Sequence, residues 1–372
     1  IYLLYFAIFV EIGLLVYFSF ATKNVFQYTL SLLLIIIITF PLGFSVGVLL
    51  FREKSVSKLL ILSFCIGLPL TAGIWGILAY SSIPIHPVSY IGCSGLISAS
   101  LILITKLKYK KIICQKVFDH KRICLPIIIF FIGFLWHALM QADNNVSFDC
   151  DPQSTIYIET LIKNQGYPAV RPFLTNEVTN ITHPPTFHIL VVLTSILKNS
   201  LMHKECMAIT IICGSFFVLA VYLLAYYLSG ENLFISFFAG LLTLNCAYLT
   251  NYNDGNTSEL FAFLCVTTFL LFMLYAFKES NWLKSLLLAA IAGFAFSHAA
   301  LSQTEVFQWY SISLVFFVAT YWWAKHRNFK KDVSIIFVSL LVCGLVFLPW
   351  FLNSIKNFQE DSMWKLTDKE AT

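Results

Sequence analysis

The chain has 372 residues, of which 59% are hydrophobic and 12% are charged, and its formal net charge is +5. Soluble domains carry about 25% charged residues, so this composition excludes a water-soluble globular protein and indicates a polytopic membrane protein. The Lys and Arg residues form no basic stripe, which argues against a nucleic-acid partner. The ten cysteines show no CxxC or Cys/His spacing of the kind that binds zinc.

Long apolar runs divide the chain into candidate membrane spans. A spanning helix needs about 20 apolar residues, and runs without strict alternation favour helices over membrane strands. The sequence therefore predicts an all-α polytopic membrane protein with about 11 transmembrane helices. The predicted spans are Ile1–Phe20, Tyr28–Leu50, Leu59–Tyr80, Val88–Thr105, Ile123–Met140, Cys206–Leu228, Leu233–Leu249, Leu260–Phe277, Leu283–Ala300, Phe307–Ala324 and Val333–Leu352.

The basic loops orient these spans. Lys and Arg are concentrated in cytoplasmic loops, and the most basic connection is Lys106–Arg122. Placing this loop inside puts the N-terminus inside and the long polar segment after the fifth span outside. We therefore expect the polar segment to lie on the extracytoplasmic face of a cell membrane or, in a eukaryote, of the ER membrane.

A further run, Phe187–Leu197, is too short to span a bilayer in the usual way. If it does not cross, the basic loops that contain Lys278 and Lys330 fall inside, and Asn251–Glu259 falls outside. This choice leaves only Lys198 and its neighbour Lys204 on the outer side. The sequence thus predicts a re-entrant or interfacial helix, and the flanking histidines suit a helix in the headgroup region.

The residues from Asp143 to His188 form a polar island in this hydrophobic chain. Within it, Asp149 and Asp151 stand two residues apart, directly after a predicted span. Two carboxylates at this spacing can chelate a divalent cation, or one can act as a base while the other braces it. The plainer alternative is that both are simply solvated. Asp151-Pro152 predicts the start of a short helix, which Gly166 ends.

The order of these motifs resembles the first external loop of the GT-C glycosyltransferases. There an acidic residue just outside a span is followed by a short helix, by Gly-x-Pro and by a His-Pro-Pro entry into an apolar segment, as in Asp151 to His188. Asn251–Glu259 is similar to a second external loop of that superfamily. Phe296-Ser-His298 is similar to a span that ends at an outer His, and Leu348-Pro349-Trp350 to a late Leu-Pro-Trp.

The resemblance covers Ile123 to Trp350 and implies a domain organisation. Residues 1–122 would hold four N-terminal transmembrane helices and the basic cytoplasmic loop, a departure from the commonest layout, in which the first span precedes the loop. Residues 123–352 would form the GT-C-like catalytic module, with its long first catalytic outer loop at 141–204 containing short helices. Residues 353–372 would form an outer tail.

The resemblance implies an enzyme that moves a sugar from a polyprenyl-phosphate-linked donor to an acceptor protein, lipid or glycan on the extracytoplasmic face of the membrane. Asp151, or Asp149 in its place, would be the base or the acceptor-orienting carboxylate. Asp254 or Glu259 would supply a further acid from the second loop. A divalent cation, Mg²⁺ or Mn²⁺, held by Asp149 and Asp151 is an open alternative, because oligosaccharyltransferases look metal-dependent whereas other members need no metal.

The remaining candidates would contact the donor or the acceptor: Lys163, Arg171, His183, His188, His298 and Glu305. Lys163, Arg171 and His298 suit the donor phosphate, because cations stabilise the charge that develops there. For Arg171 and the two island histidines the alternative is a structural or headgroup contact. Glu305 could instead pair with a basic residue.

Two other function classes compete with an enzyme. A multi-span transporter of a lipid-linked or small polar substrate would place ionisable groups near the bilayer midplane and would often show a repeat. This chain instead collects its polar groups at one predicted face and shows no repeat. A non-catalytic assembly protein is the third class, and it would tolerate loss of both Asp149 and Asp151.

Overall fold

The computed structural model describes residues 2–51, 56–81, 83–109, 120–142, 156, 158–160, 162–164, 166, 186–251, 257–302, 311 and 329–360. Within these ranges the chain is helical, and no strand occurs in them. The helices are α1 (Tyr2–Ala21), α2 (Lys23–Phe51), α3 (Val56–Tyr80), α4 (Pro87–Tyr109), α5 (His120–Met140), α6 (Thr186–Lys198), α7 (Met202–Leu228), α8 (Leu233–Asn251), α9 (Thr257–Lys278), α10 (Trp282–Ala300) and α11 (Phe329–Glu360).

Nine helices in the described ranges are long and apolar enough to cross a membrane, which confirms an all-helical multi-pass protein. They are α1 to α5, α7 and α9 to α11. Two apolar helical stretches are shorter: α6 and Leu233–Leu244 of α8. The predicted span Phe307–Ala324 lies outside the described residues. Helix α11 begins after that gap, at Phe329, and continues to Glu360. Its last residues are therefore ones that were predicted to form a tail.

One end of the bundle brings together the start of α2 and the end of α5. The Asn24 side chain donates to the carbonyl of Ala142 over 2.9 Å, and the Tyr28 hydroxyl donates to the carbonyl of Gln141 over 3.3 Å. Lys198, the last residue of α6, donates to the carbonyl of Gln27 over 3.1 Å. We call this end, from which the polar island departs, the island end.

The opposite end carries a cluster of two cations and one acid. Lys58 at the start of α3 and Arg122 at the start of α5 both pair with Glu231, between α7 and α8, and the Arg122–Glu231 distance is 2.9 Å. The Tyr226 hydroxyl also donates to Glu231, over 3.2 Å. We call this the basic end. It is the end predicted to face the cytoplasm, because it carries the residues next to the basic loops.

The polar island leaves and returns at the same end of the bundle. Helix α5 ends beside Tyr28, and Glu205 in the first turn of α7 accepts a hydrogen bond from Ser31 over 3.1 Å. Tyr28 and Ser31 are one helical turn apart on α2. The segment between α5 and α7, which includes α6, therefore does not cross the bundle, as the basic loops predicted.

Helix α6 is enclosed by protein. Every residue from Thr186 to Ser195 is buried, and α6 packs against α3 and α7. A helix in the headgroup region would leave one face uncovered, so the interfacial form of the prediction, with His188 among headgroups, is wrong. His183 lies outside the described residues. The re-entrant form fits, because non-spanning backbone at membrane depth is tolerated where protein surrounds it. A helix that is apolar on all sides is expected to be buried.

Small residues let several helices approach closely. Helices α10 and α11 run in the same direction and touch at Gly293, where an added Cβ would lie 2.1 Å from the carbonyl oxygen of Ser339. A similarly close backbone contact joins α2 and α3, because a Cβ on Gly43 would lie 2.0 Å from the carbonyl oxygen of Ser63. Membrane helices associate through this kind of backbone contact, since lipid offers no hydrophobic driving force.

We predict that Gly293→Ala destabilises the protein because its methyl group would push α10 and α11 apart. Overpacking of this kind costs about 1–3 kcal/mol, which thermal unfolding in detergent would detect as a lower Tm. Gly344→Ala on α11 is the matched control, because a Cβ there meets nothing within 4 Å. Equal Tm values for the two variants would contradict the close packing.

Candidate functional site

The described part of the polar island packs along α6. Residues 158–160 and 162–164 are helical, and Ile158, Glu159 and Ile162 are all buried. Glu159 meets His188 near the start of α6, and Lys163 meets Ser195 near its end. The island helix and α6 therefore run side by side in the same direction.

The end of the island helix is fixed by Gly166. Its φ of 74° is in the left-handed region that favours glycine, and its N–H donates to the carbonyl of Ile162 over 2.9 Å. Its carbonyl accepts from the N–H of Ile85, between α3 and α4, over 2.7 Å. The predicted stop at Gly166 is confirmed, whereas the predicted start at Asp151-Pro152 lies outside the described residues.

Glu159 and His188 form a fully buried pair. Their side chains are 0% and 1% exposed, and the carboxylate Oε1 lies 3.3 Å from His188 Nδ1. Burial raises the pKa of Glu159 well above its usual range, and only a hydrogen bond from Cys206 opposes this. The neutral acid is thus favoured, and the contact with His188 is a hydrogen bond. Its effect is to fix the island helix on α6.

The start of α6 is attached to α3 and α10. The Thr186 hydroxyl lies 3.2 Å from Nδ1 of His298, and the Thr186 N–H donates to the carbonyl of Leu301 over 3.1 Å. Gly73 makes room for the imidazole, since a Cβ there would lie 2.6 Å from His298 Nε2. The structure thus brings His298, predicted from a separate motif, to the last part of the polar island.

His298 is wholly enclosed, and one of its nitrogens is unsatisfied. The side chain is buried, and Nε2 has no hydrogen-bond partner among the described residues. Buried polar atoms are normally paired, and exceptions occur where a ring nitrogen has a functional partner. His298 therefore remains a candidate for contact with a ligand, although its surroundings are apolar.

The end of α6 carries a hydrogen-bonded group that the sequence did not reveal. Lys198 donates to Ser31 and to Glu205, both over 2.5 Å, and the two charged side chains are 12% and 1% exposed. Lys198 was an exception to the charge rule on the predicted outer side, and Glu205 neutralises it. This ion pair joins α6 to α2 and α7.

Lys163, a predicted phosphate ligand, is directed to α6. Its ammonium donates to the Ser195 hydroxyl over 3.0 Å, and that hydroxyl donates to the carbonyl of Ser200 over 2.9 Å. A lysine has three N–H donors, so this contact leaves capacity for a ligand.

The other predicted site residues are distributed as follows. Glu259 lies in the first turn of α9, where a carboxylate suits the helix dipole, and it is half-buried. No group of three or more His, Cys, Asp or Glu that could hold a metal occurs among the described residues. Six predicted residues, including the proposed metal ligands, lie outside the described residues: Asp149, Asp151, Arg171, His183, Asp254 and Glu305.

Sequence analysis placed Glu159 in the polar island but assigned it no role. The available signal was local: Ile158 and Ile162 are spaced i and i+4, so they lie on one helix face, and Glu159 borders that face. An acid beside an apolar stripe is a candidate for burial with a partner. Its partner, His188, could not be inferred, because 29 residues separate them.

We predict that Glu159→Gln reduces the loss of stability that accompanies a rise in pH above about 4.5. The raised pKa means that the folded protein holds a proton which the unfolded carboxyl releases above about pH 4.5. Stability from this group therefore falls as pH rises from that value towards the folded pKa. Gln keeps an acceptor for His188 but does not titrate, so its Tm should fall less than that of the parent between pH 5 and 8.

Glu231→Gln is the control, because the pKa of Glu231 is shifted in the opposite direction. Partial burial would raise the pKa of Glu231, but the hydrogen bond from Lys58 and the charges of Lys58 and Arg122 outweigh it and lower the pKa. Its contribution is present above about pH 4.5 and is lost as pH falls through the folded pKa. Identical Tm profiles for the parent and Glu159→Gln would contradict the assigned protonation.

We also predict that Lys198→Met is more harmful than the double variant Lys198→Met/Glu205→Met. The single change leaves a buried carboxylate without its cation, which costs about 3–5 kcal/mol, whereas apolar replacement of both partners is often neutral. Tm in detergent measures both, and Lys204→Met provides a nearby, half-buried lysine control. A double variant that is no more stable than the single one would show that the pair is not the source of the stability.

The described site therefore consists of the island helix, α6 and the groups that fix both ends of α6. Comparison of the chain with protein-family models, with curated proteins and with solved structures finds no match.

Proposed function

We propose that this chain is an integral-membrane glycosyltransferase of the GT-C type, which moves a sugar from a polyprenyl-phosphate-linked donor to an acceptor on the extracytoplasmic face. The observation that supports this most is the construction of the polar island. It departs from and returns to one end of the bundle. The buried Glu159–His188 pair fixes its described helix on α6, and Thr186 links α6 to His298. A simple connection between two spans would need none of these contacts.

Asp151 is the proposed base or acceptor-orienting carboxylate. It precedes Ile156 by five residues, which can span at most about 17 Å. The island helix runs in the same direction as α6. Its first described residues therefore lie towards the start of α6, where Thr186 contacts His298. We therefore propose that Asp151 and His298 serve the same substrate, with Asp149 as the neighbouring acid.

The reaction requires three tasks. The acceptor must reach the anomeric carbon, its proton must be accepted and the departing phosphate must be neutralised. Asp151 would accept the proton or orient the acceptor, which is worth typically 10²- to 10⁴-fold in rate. Lys163 and Arg171 would contact the phosphate, where cations stabilise developing charge. The rigid attachment of the island helix to α6 would hold these groups in the required geometry.

Transport is the second candidate function, and α6 is the feature that favours it. Short helices enclosed by protein at membrane depth are found where transporters bind their substrates. Against this, the buried polar contacts described above lie at the island end of the bundle rather than at its middle.

We predict that proteoliposomes carrying the protein transfer label from a polyprenyl-phosphate sugar to an acceptor, and that Asp151→Asn lowers kcat at least about 100-fold. Asp143→Asn, in the same polar island but outside the proposed site, is the control and should retain activity within about twofold. Label trapped in the lumen without a covalent product would establish transport instead. Equal transfer by Asp151→Asn and the parent would overturn the proposed base.

A further inference from the structure

A cavity of about 310 Å³ lies between α2, α3, α5 and α7, in the half of the bundle nearest the basic end. Its walls are wholly apolar and include Ile36 and Phe40 of α2, Leu60 and Phe64 of α3, and Ile127 and Phe131 of α5. These six side chains are half-buried, so the cavity opens on the flank of the bundle. The volume is at the lower end of the range of small-molecule sites, which suits a slender ligand.

A second pocket adjoins the cavity at the basic end. A smaller pocket of about 30 Å³ shares Ile61 and Pro126 with it and is lined by Lys58, Arg122 and Tyr226. Lys58 and Arg122 both pair with Glu231, so the three groups carry a net charge of about +1. An apolar cavity thus lies beside a pocket at which two cations share one acid.

The dimensions match those of a membrane lipid. Along α3, Lys58 and Phe64 are six residues apart, or about 9 Å, and along α5, Arg122 and Phe131 are nine residues apart, or about 14 Å. A lipid whose phosphate lies beside the two cations would therefore bring the first part of a hydrocarbon tail to the level of the cavity. The cations lie at helix starts, at the depth expected of a headgroup.

We infer that this pair of pockets binds one anionic phospholipid from the leaflet at the basic end, with its phosphate at Lys58 and Arg122 and one tail in the apolar cavity. The two parts of the site have different tasks. The cavity alone gives little preference among lipids, because bulk lipid is equally apolar. The charge supplies the selection, since one net basic residue near the surface favours an anionic lipid roughly fivefold. The inference does not depend on the proposed sugar transfer.

The test of the tail site uses native mass spectrometry of the detergent-purified protein. The probe is an equimolar mixture of phosphatidylglycerol and phosphatidylcholine with identical chains. The parent should retain one phosphatidylglycerol with roughly fivefold preference. Ile36→Trp fills the cavity and should abolish this retention. Ile37→Trp is the matched control, because that side chain is 69% exposed on the lipid-facing side of α2, and it should bind as the parent does.

The test of the headgroup site uses charge. Arg122→Gln brings the net charge of the cluster to about zero and should remove the preference for phosphatidylglycerol. Arg122→Gln/Glu231→Gln returns it to about +1 and should restore the preference, which a variant that had merely unfolded would not do. Equal binding by Ile36→Trp and Ile37→Trp, or equal retention of the two lipids by the parent, would overturn the inference.

Discussion

The structure depends on enclosing α6, a short helix with polar groups at both ends, where little water is available. An unsatisfied polar group in hydrocarbon costs several kcal/mol. The first end is satisfied by His298 and by the Leu301 carbonyl, and the second by Ser31 and Glu205. None of these partners belongs to α6. The requirement to satisfy α6 thus determines how α2, α7 and α10 meet at the island end.

The polar island follows from the same constraint. Its helix could not lie over α6 unless Glu159 were compatible with complete burial, because an isolated buried carboxylate is costly. The proton favoured by burial and the hydrogen bond from Oε1 to His188 lower that cost. The described island helix is thereby packed against α6.

Much of the fold could be predicted from the sequence because spans of about 20 apolar residues are a strong signal. The non-crossing path of α6 could also be predicted, because the basic loops Lys106–Arg122 and around Lys330 had to share a side. Helix ends were less predictable. Helix α2 begins at Lys23 rather than Tyr28, because hydropathy locates the apolar part of a helix and not the residue at which the helical backbone begins. The enclosure of α6 was missed because an apolar run does not reveal what surrounds it.

The site was predicted only in part, because the sequence shows the order of motifs but not how the helices pack. Motif order linked His298 to the polar island, and the structure brings both to the start of α6. The Glu159–His188 and Lys198–Glu205 pairs were not predicted, because each depends on how a non-crossing helix lies against its neighbours. Gly73 had no visible role until His298 was seen to occupy the space beside it.

The protonation of Glu159 also bears on how an anion would be recognised at the island end. Glu159 and Lys163 are four residues apart on one helix, a spacing at which an ionised acid would pair with the ammonium. Burial favours the neutral acid, and the carboxyl meets His188 instead. Lys163 is half-buried and gives one of its donors to the neutral Ser195 hydroxyl. Its positive charge is therefore not offset by Glu159, and in the proposed enzyme this favours the departing polyprenyl phosphate as its counter-ion.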